Sequence, residues 1–363
     1  MSAGSHSADL VIVVDAVCEF NMTTNESADF GQPSVDSRNS RCLAIRVCKQ
    51  RQNFDLAGMA ALVSSMSFEL LLNKWQALNS SVEALAAIGA ELRLRREELK
   101  GDSRVRAILQ DVLHSIDPGL LEDLDTNQES AALALIQTSF RQAIDLLENP
   151  ARAPGWNYED PGILESQGEV SRQIVRGINL VAAQRPDLGA ALQKRGAFLD
   201  VGTGVGRLAI EAARSWPSLR VIGIDPWEPA LSLARKNLAQ SDVAGRVEFR
   251  LQRIEDLDDK TIFNLAWLPG PFMTAEIVAA ALERIQRALA AGGWLIFGFN
   301  PRPPSALGAA LTDLRIVRCG GHPWTTQEVE ERLNALGFER IEALSPSPSI
   351  TFVMGQRPAS LNR

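Results

Sequence analysis

Three glycines in five residues, set just behind an aspartate, are the part of this chain best built for chemistry. They lie in Asp200-Val201-Gly202-Thr203-Gly204-Val205-Gly206, between the apolar run 197–201 and the helical pattern 207–215. A glycine-rich turn from strand to helix lets backbone approach a ligand with no Cβ in the way, at the strand end where parallel α/β sheets bind ligands. The spacing is GxGxG, whereas a dinucleotide loop is GxGxxG with a helix N-terminus facing the pyrophosphate. Asp200 would add negative charge beside a phosphate, and it suits a ligand carrying a cationic amine or sulfonium. The next apolar run, 220–224, ends in Asp225, about 20 residues on. A carboxylate there can accept hydrogen bonds from ribose hydroxyls, a property that by itself also fits NAD.

The elements that must position these residues follow from periodicity. Strands are expected at 197–201, 220–224, 247–251, 264–268 and 294–298, alternating with helices at 207–215, 229–239 and 275–290. Such alternation implies right-handed crossovers and a parallel, doubly wound sheet. A Thr325-x-x-Glu328 capping box opens a helix over 325–336, and strands at 338–344 and 350–354 follow. Only five residues separate those two, too few for a crossover, so they form an antiparallel hairpin. Upstream, apolar residues at helical spacing place helices at 59–77, 82–100, 104–115, 130–148 and 163–183. A break at 150–155 precedes Trp156-Asn157-Tyr158-Glu159-Asp160-Pro161, which holds the single tyrosine.

With these motifs in place, residues 196–358 resemble the class I S-adenosylmethionine (SAM)-dependent methyltransferases of the small-molecule type. The fold class this implies is α/β: a doubly wound, Rossmann-like sheet of seven strands, the last antiparallel, behind an N-terminal helical domain. Residues 200–206 are similar to the family's first motif, in which the glycine backbone lies against the methionine moiety, so the resemblance implies Asp200, Gly202, Thr203, Gly204 and Gly206 as cofactor-binding residues. Ile224-Asp225-Pro226-Trp227 is similar to its second, so Asp225 inherits the ribose and Pro226 and Trp227 flank the adenine. Two departures stand out. Arg253 occupies the position after the third strand where an acid often accepts the adenine amino group, and arginine cannot accept a hydrogen bond. Either Ile254 backbone or Glu255 carboxylate takes over, or the register is one or two residues off. At the fourth strand, Asn264 stands where aspartate is common, and Pro269-Gly270-Pro271-Phe272 lacks the Asn-Pro-Pro-aromatic signature of nucleic-acid and glutamine amine methylation.

Methyl transfer needs position above all, with a base helpful for a hydroxyl acceptor. His322, in Cys319-Gly320-Gly321-His322-Pro323-Trp324, is the candidate catalytic residue, its alternative being a structural role beside the helix at 325. Trp156 and Tyr158 are read as a lid against substrate or as a plug between domains. Leu268, Pro269 and Phe272 fall at the carboxyl end of the fourth strand, where ligands bind. Cys319 has no partner base in sequence that would make it a nucleophile.

Composition bounds the rest. Of 363 residues, 44 are acidic and 37 basic, a net charge of −7 that provides no positive field for nucleic acid. Arginines 93–106 are interleaved with acids, as on a solvated helix. Four cysteines form neither a disulfide framework nor a zinc site, which fits a reducing cytoplasm, and no metal is expected. No run is long and apolar enough to span a membrane. The expected organisation is a disordered tail at 1–58, with 10–14 as an alternative strand and Met59 or Met66 as alternative starts. A helical cap at 59–150, a connector or lid helix at 151–195 and the SAM-binding domain at 196–358 complete it. The expected partner is a small-molecule acceptor, with a homodimer through the helical segment. Protein or tRNA methylation and a non-catalytic SAM-fold scaffold are the alternatives.

Overall fold

The computed structural model describes residues 56–359, so the expectations for the first 55 residues lie outside the described part. The chain divides into a unit ending at Ser65 and a second from Met66 onward, and the second holds everything below except the start of the first helix. Helix α1 (Leu56–Arg96) runs unbroken where two helices were expected. The polar stretch 79–81 does not stop it, because Asn79 donates to Glu83 Oε1 (2.8 Å) and Ser80 to the Gln76 carbonyl (3.2 Å), bonds a helix itself supplies. Helix α2 (Ser103–Ile116) is capped by Asp102. Helix α3 (Thr126–Glu148) starts four residues earlier than expected because Asp125 and Gln128 form a reciprocal capping box. Leu92, Leu113 and Leu121 bury a small core among these helices.

Helix α4 (Pro161–Gln184) opens with Asp160 as cap and Pro161 in the first turn, where its missing N–H costs nothing. A short helix, α5 (Pro186–Gln193), not foreseen, leads into the sheet. Seven strands follow, β1 (Gly196–Val201), β2 (Leu219–Asp225), β3 (Val247–Leu251), β4 (Phe263–Pro269), β5 (Leu289–Phe299), β6 (Glu339–Ser347) and β7 (Ile350–Gln356). Their spatial order is β3-β2-β1-β4-β5-β7-β6. The first five are parallel, and β7 inserts antiparallel to both β5 and β6. That is the expected seven-stranded sheet, hairpin included.

Alternation along the strands divides the core into two layers. Phe198, Val221, Leu265, Trp267, Trp294, Ile296 and Phe352 face Val175, Ile178 and Val181 of α4, with α5 and α6 (Arg207–Ser215) on the same side. Helix α7 (Glu228–Ala239) closes that side through Leu238. Leu199, Val201, Leu268, Leu295, Phe297 and Val353 face α8 (Ala275–Ala288) and α10 (Thr326–Ala335). So α4 shares one continuous core with the strands. A further unforeseen helix, α9 (Ala306–Arg318), capped by Ser305, fills part of the connection after β5. Among the described residues no helix is long and apolar enough to cross a membrane.

Candidate functional site

The loop after β1 is built on positive φ angles, +66° at Gly202, +55° at Gly204 and +76° at Gly206, a region in which side chains other than glycine are strained. The backbone N–H groups of Gly202 and Thr203 both donate to the Ile224 carbonyl, at 2.9 and 3.1 Å, so β2 holds the turn. The glycines differ in what surrounds them. A Cβ on Gly206 would stand 2.4 Å from Phe249 Cζ, whereas one on Gly204 would meet nothing nearer than the Gly202 carbonyl at 4.0 Å. Gly206 is required by packing, and Gly204 leaves open space.

Two buried acids support this loop. Asp200 accepts from Thr203 Oγ1 at 2.6 Å. Burial drives its pKa up to about 7; the Thr203 hydrogen bond opposes that and the nearby Asp225 charge adds to it. Asp225 accepts from the Gly204 N–H through Oδ2 (2.9 Å) and from the Trp227 N–H through Oδ1 (2.8 Å), tying the glycine loop to the turn after β2. Burial raises its pKa too, against the pull of those two N–H donors. Each carboxylate oxygen keeps a further lone pair for a hydroxyl.

Around them lies a cavity of about 320 Å³. Its floor is Gly202, Thr203 and Gly204; one wall is Asp225, Pro226 and Trp227; another is Gln252, Arg253, Ile254 and Glu255. Trp156, Pro269, Phe272, Met273 and Ile277 make an apolar end. Twelve of the residues singled out by sequence thus come together from five segments. The Arg253 guanidinium donates to Glu255 Oε1 at 2.6 Å, so the two residues expected to face an adenine neutralise each other.

A connector or lid helix was expected at 151–195, but not the helical residues that roof the cavity. Leu164, Gln167, Gly168 and Ser171 of α4 cover the cavity. Gly168 makes this possible, since a Cβ there would lie 2.2 Å from Val205 Cγ2 and 3.0 Å from Arg207 Cγ. Arg207 at the start of α6 pairs with Glu165 at 2.9 Å, and Asn237 of α7 donates to the other oxygen of Glu165 and to the Val205 carbonyl. The sequence signal was an isolated glycine inside a helical pattern, which often marks close approach.

Other expected site residues lie elsewhere. Leu268 is fully buried in the core, one residue short of the cavity, because strand alternation turns it toward α8. Asp200 and Gly206 sit behind the cavity surface as supports. His322 does not line the cavity; its Nε2 lies 3.3 Å from Glu328 Oε1 and its ring stands edge-on to Trp324. Trp324, two residues on, packs in the core against Phe297. Tyr158 also lies off the cavity. Its hydroxyl donates to Asp145 Oδ2 (2.8 Å) and accepts from Arg152 Nη2 (2.9 Å), while its carbonyl accepts from Trp227 Nε1 (2.8 Å). Burial and that carboxylate push its phenol up to about 12. Cys319 is buried, its thiol raised to about 11 by desolvation, which leaves no nucleophile there.

Comparison with known proteins fits this geometry. Residues 192–300 match the family model described as a methyltransferase domain. A ribosomal protein L11 methyltransferase of Lactobacillus gasseri is 35% identical over 102 residues, 28% of this chain and 29% of that protein. Another from Pelobacter propionicus is 37% identical over 136 residues, 38% of each. The chain therefore spans about a third of the length of the curated relatives it matches. Among solved structures, an O-methyltransferase family protein from Burkholderia thailandensis superposes with a TM-score of 0.55 at 17% identity, covering 81% of this chain and 99% of that one. Human N-acetylserotonin methyltransferase in complex with SAM gives 0.53 at 14%, covering 85% and 100%. The pyocyanin biosynthetic protein PhzM gives 0.52 at 17%, covering 81% and 99%. At these identities the likeness is one of fold.

Proposed function

We propose that this chain, whose residues 192–300 match a methyltransferase-domain model, transfers a methyl group from SAM to a small-molecule acceptor; the names of solved structures that share its fold favour an oxygen atom as the site. The cavity suits the cofactor on three counts: an open turn at Gly204 that a Cβ would fill, a buried Asp225 with lone pairs to spare, and flat apolar surfaces at Pro226, Trp227 and Ile254. Bound SAM supplies an electrophilic methyl on a sulfonium. The chain's own residues hold and shield. Asp225 accepts from the ribose hydroxyls, Trp227 and Ile254 enclose the adenine, and Gly202 and Gly204 admit the methionine portion. Trp156, Pro269, Phe272, Met273 and Ile277 exclude water from the acceptor and fix its approach. None of these five is titratable, so transfer rests on position. His322 orients Glu328 at the start of α10 in place of acting as a base.

The roof is the observation that carries the small-molecule reading. Helix α4 and Trp156 cover part of the cavity and narrow the approach to it, which favours a small ligand over a large one. The names of the curated relatives favour a second reading, methylation of a ribosomal protein, over the segment they share. A homodimer draws on another feature. Phe68, Leu71, Trp75 and Leu78, stepping by three or four along α1, are each more than half exposed and form one apolar stripe that a second copy would cover.

Radiolabelled SAM tests the choice. Incubated with the full chain, label is expected to pass to a small-molecule extract and not to ribosomal proteins; label in protein alone would overturn the reading. Calorimetry with S-adenosylhomocysteine tests the cofactor site, and Gly204→Val and Asp225→Ala are both expected to abolish binding.

A further inference from the structure

A second cavity, of about 260 Å³, lies on the other side of Tyr158. Its walls are Ala143 and Leu146 of α3 and Leu311 and Leu314 of α9, and its inner end is Tyr158 and Cys319. Leu311 and Leu314 are 52% and 43% exposed, apolar surface left open to solvent at the mouth. The phenol and the thiol of the inner end are both held neutral. Two arginines line the space, and of these Arg318 is already paired with Asp145. Arg315 lines it and makes no ion pair or side-chain hydrogen bond among the described residues, and neither does the amide of Gln142. Asp145 is itself fully engaged, taking Arg318 at 2.7 Å, Arg152 at 3.2 Å and the Tyr158 hydroxyl at 2.8 Å.

This clasp also sets where the second cavity stands relative to the first. It joins α3, the turn at 152–158 and the end of α9, and Gly155 N–H donates to the Arg318 carbonyl at 3.0 Å. The turn so held carries Trp156, whose ring meets Tyr158 edge-on at 5.0 Å and Phe272 at 4.9 Å. Tyr158 belongs to the second cavity and Phe272 to the first. The rings of Trp156 and Tyr158, packed edge-on, therefore stand between the two.

We propose that the second cavity is the acceptor's docking pocket, that it takes a ring-bearing molecule carrying a carboxylate, and that Arg315 and Gln142 hold the carboxylate while the leucines hold the ring. The acceptor's reactive end then passes the edge of Trp156 to reach the apolar end of the cofactor cavity. This rests on the transfer reading for its direction, and the cavity itself can be tested without turnover.

The probe is hydroxynaphthoate, titrated calorimetrically into the full chain, with naphthol as its neutral counterpart. Hydroxynaphthoate is expected to bind about tenfold more tightly than naphthol, the size of effect one hydrogen-bonded charge contributes. Arg315→Gln should remove that difference, Ala143→Phe should abolish binding of both, and both variants should bind S-adenosylhomocysteine as the wild type does. Saturating S-adenosylhomocysteine should leave hydroxynaphthoate binding intact. The proposal is overturned if hydroxynaphthoate fails to bind, if it binds Arg315→Gln unchanged, or if S-adenosylhomocysteine displaces it. Failure of S-adenosylhomocysteine to bind the wild type would instead strike the cofactor reading and leave the pocket result standing.

Discussion

Gly204 and Gly206 have the same backbone hand and opposite surroundings, so the same substitution should separate binding from stability. Alanine at either position must adopt a left-handed conformation, which costs about 1–2 kcal/mol. At Gly204 the new methyl meets nothing within contact distance in the protein and projects into the space left for the cofactor. At Gly206 it would stand 2.4 Å from the Phe249 ring and 3.1 Å from Ala234 Cβ, adding an overpacking cost of about 1–3 kcal/mol. Gly206→Ala should therefore lose roughly 2–5 kcal/mol in urea denaturation, against about 1–2 for Gly204→Ala. Calorimetric titration with SAM should show the reverse emphasis, with Gly204→Ala weakened about tenfold or more. If Gly206→Ala proves no less stable than Gly204→Ala, or if Gly204→Ala binds SAM like the wild type, the distinction between a packing glycine and a ligand-facing glycine is wrong.

Asp200, whose folded pKa is raised to about 7 from 3.8, keeps a proton that the unfolded chain has lost, so its ionisation costs stability progressively as pH rises through that window. The ceiling is on the order of 4 kcal/mol, and Asp200→Asn should flatten the fall in stability between about pH 4 and 7 in pH-dependent denaturation. Asn264→Asp removes the donor that now serves the Ala191 and Lys194 carbonyls, at 3.2 and 2.8 Å, and sets a carboxylate against them. A loss of about 2–3 kcal/mol is expected at neutral pH, shrinking in acid as the new carboxyl takes up a proton, and an unchanged melting temperature would refute it. Trp75→Glu should convert a dimer to a monomer by light scattering without affecting S-adenosylhomocysteine binding; a wild type that is already monomeric would end the proposal for the α1 stripe.

Where the site was legible in advance, the reason is local. The glycine loop, Asp225 and the strands that carry them announce themselves through short-range patterns, and helix α6 begins and ends as expected because it has one apolar face and a glycine just before it. The capping box at Thr325 and Glu328 likewise forms from residues three apart. Helix α1 was read as two because its polar middle resembles a turn, and the bonds that absorb that polarity become visible only once the helix exists. His322 is a sharper case. Its place after β5 put it on the ligand side of the fold, yet which neighbour its ring meets depends on how α9 and α10 pack, and the neighbour is Glu328.

What the sequence by itself determined is the kind of sheet and the floor of its cavity, since strand alternation, crossover length and glycine spacing are properties of consecutive residues. The walls and roof belong to tertiary structure. Gly168 meets Val205 across 37 positions of chain, Glu165 meets Arg207 and Asn237, and Asp145 gathers Arg152, Tyr158 and Arg318. No period in the sequence encodes such contacts, because they follow from where one element's face falls on another's. That packing, and not the motif, decides what can enter beside the cofactor.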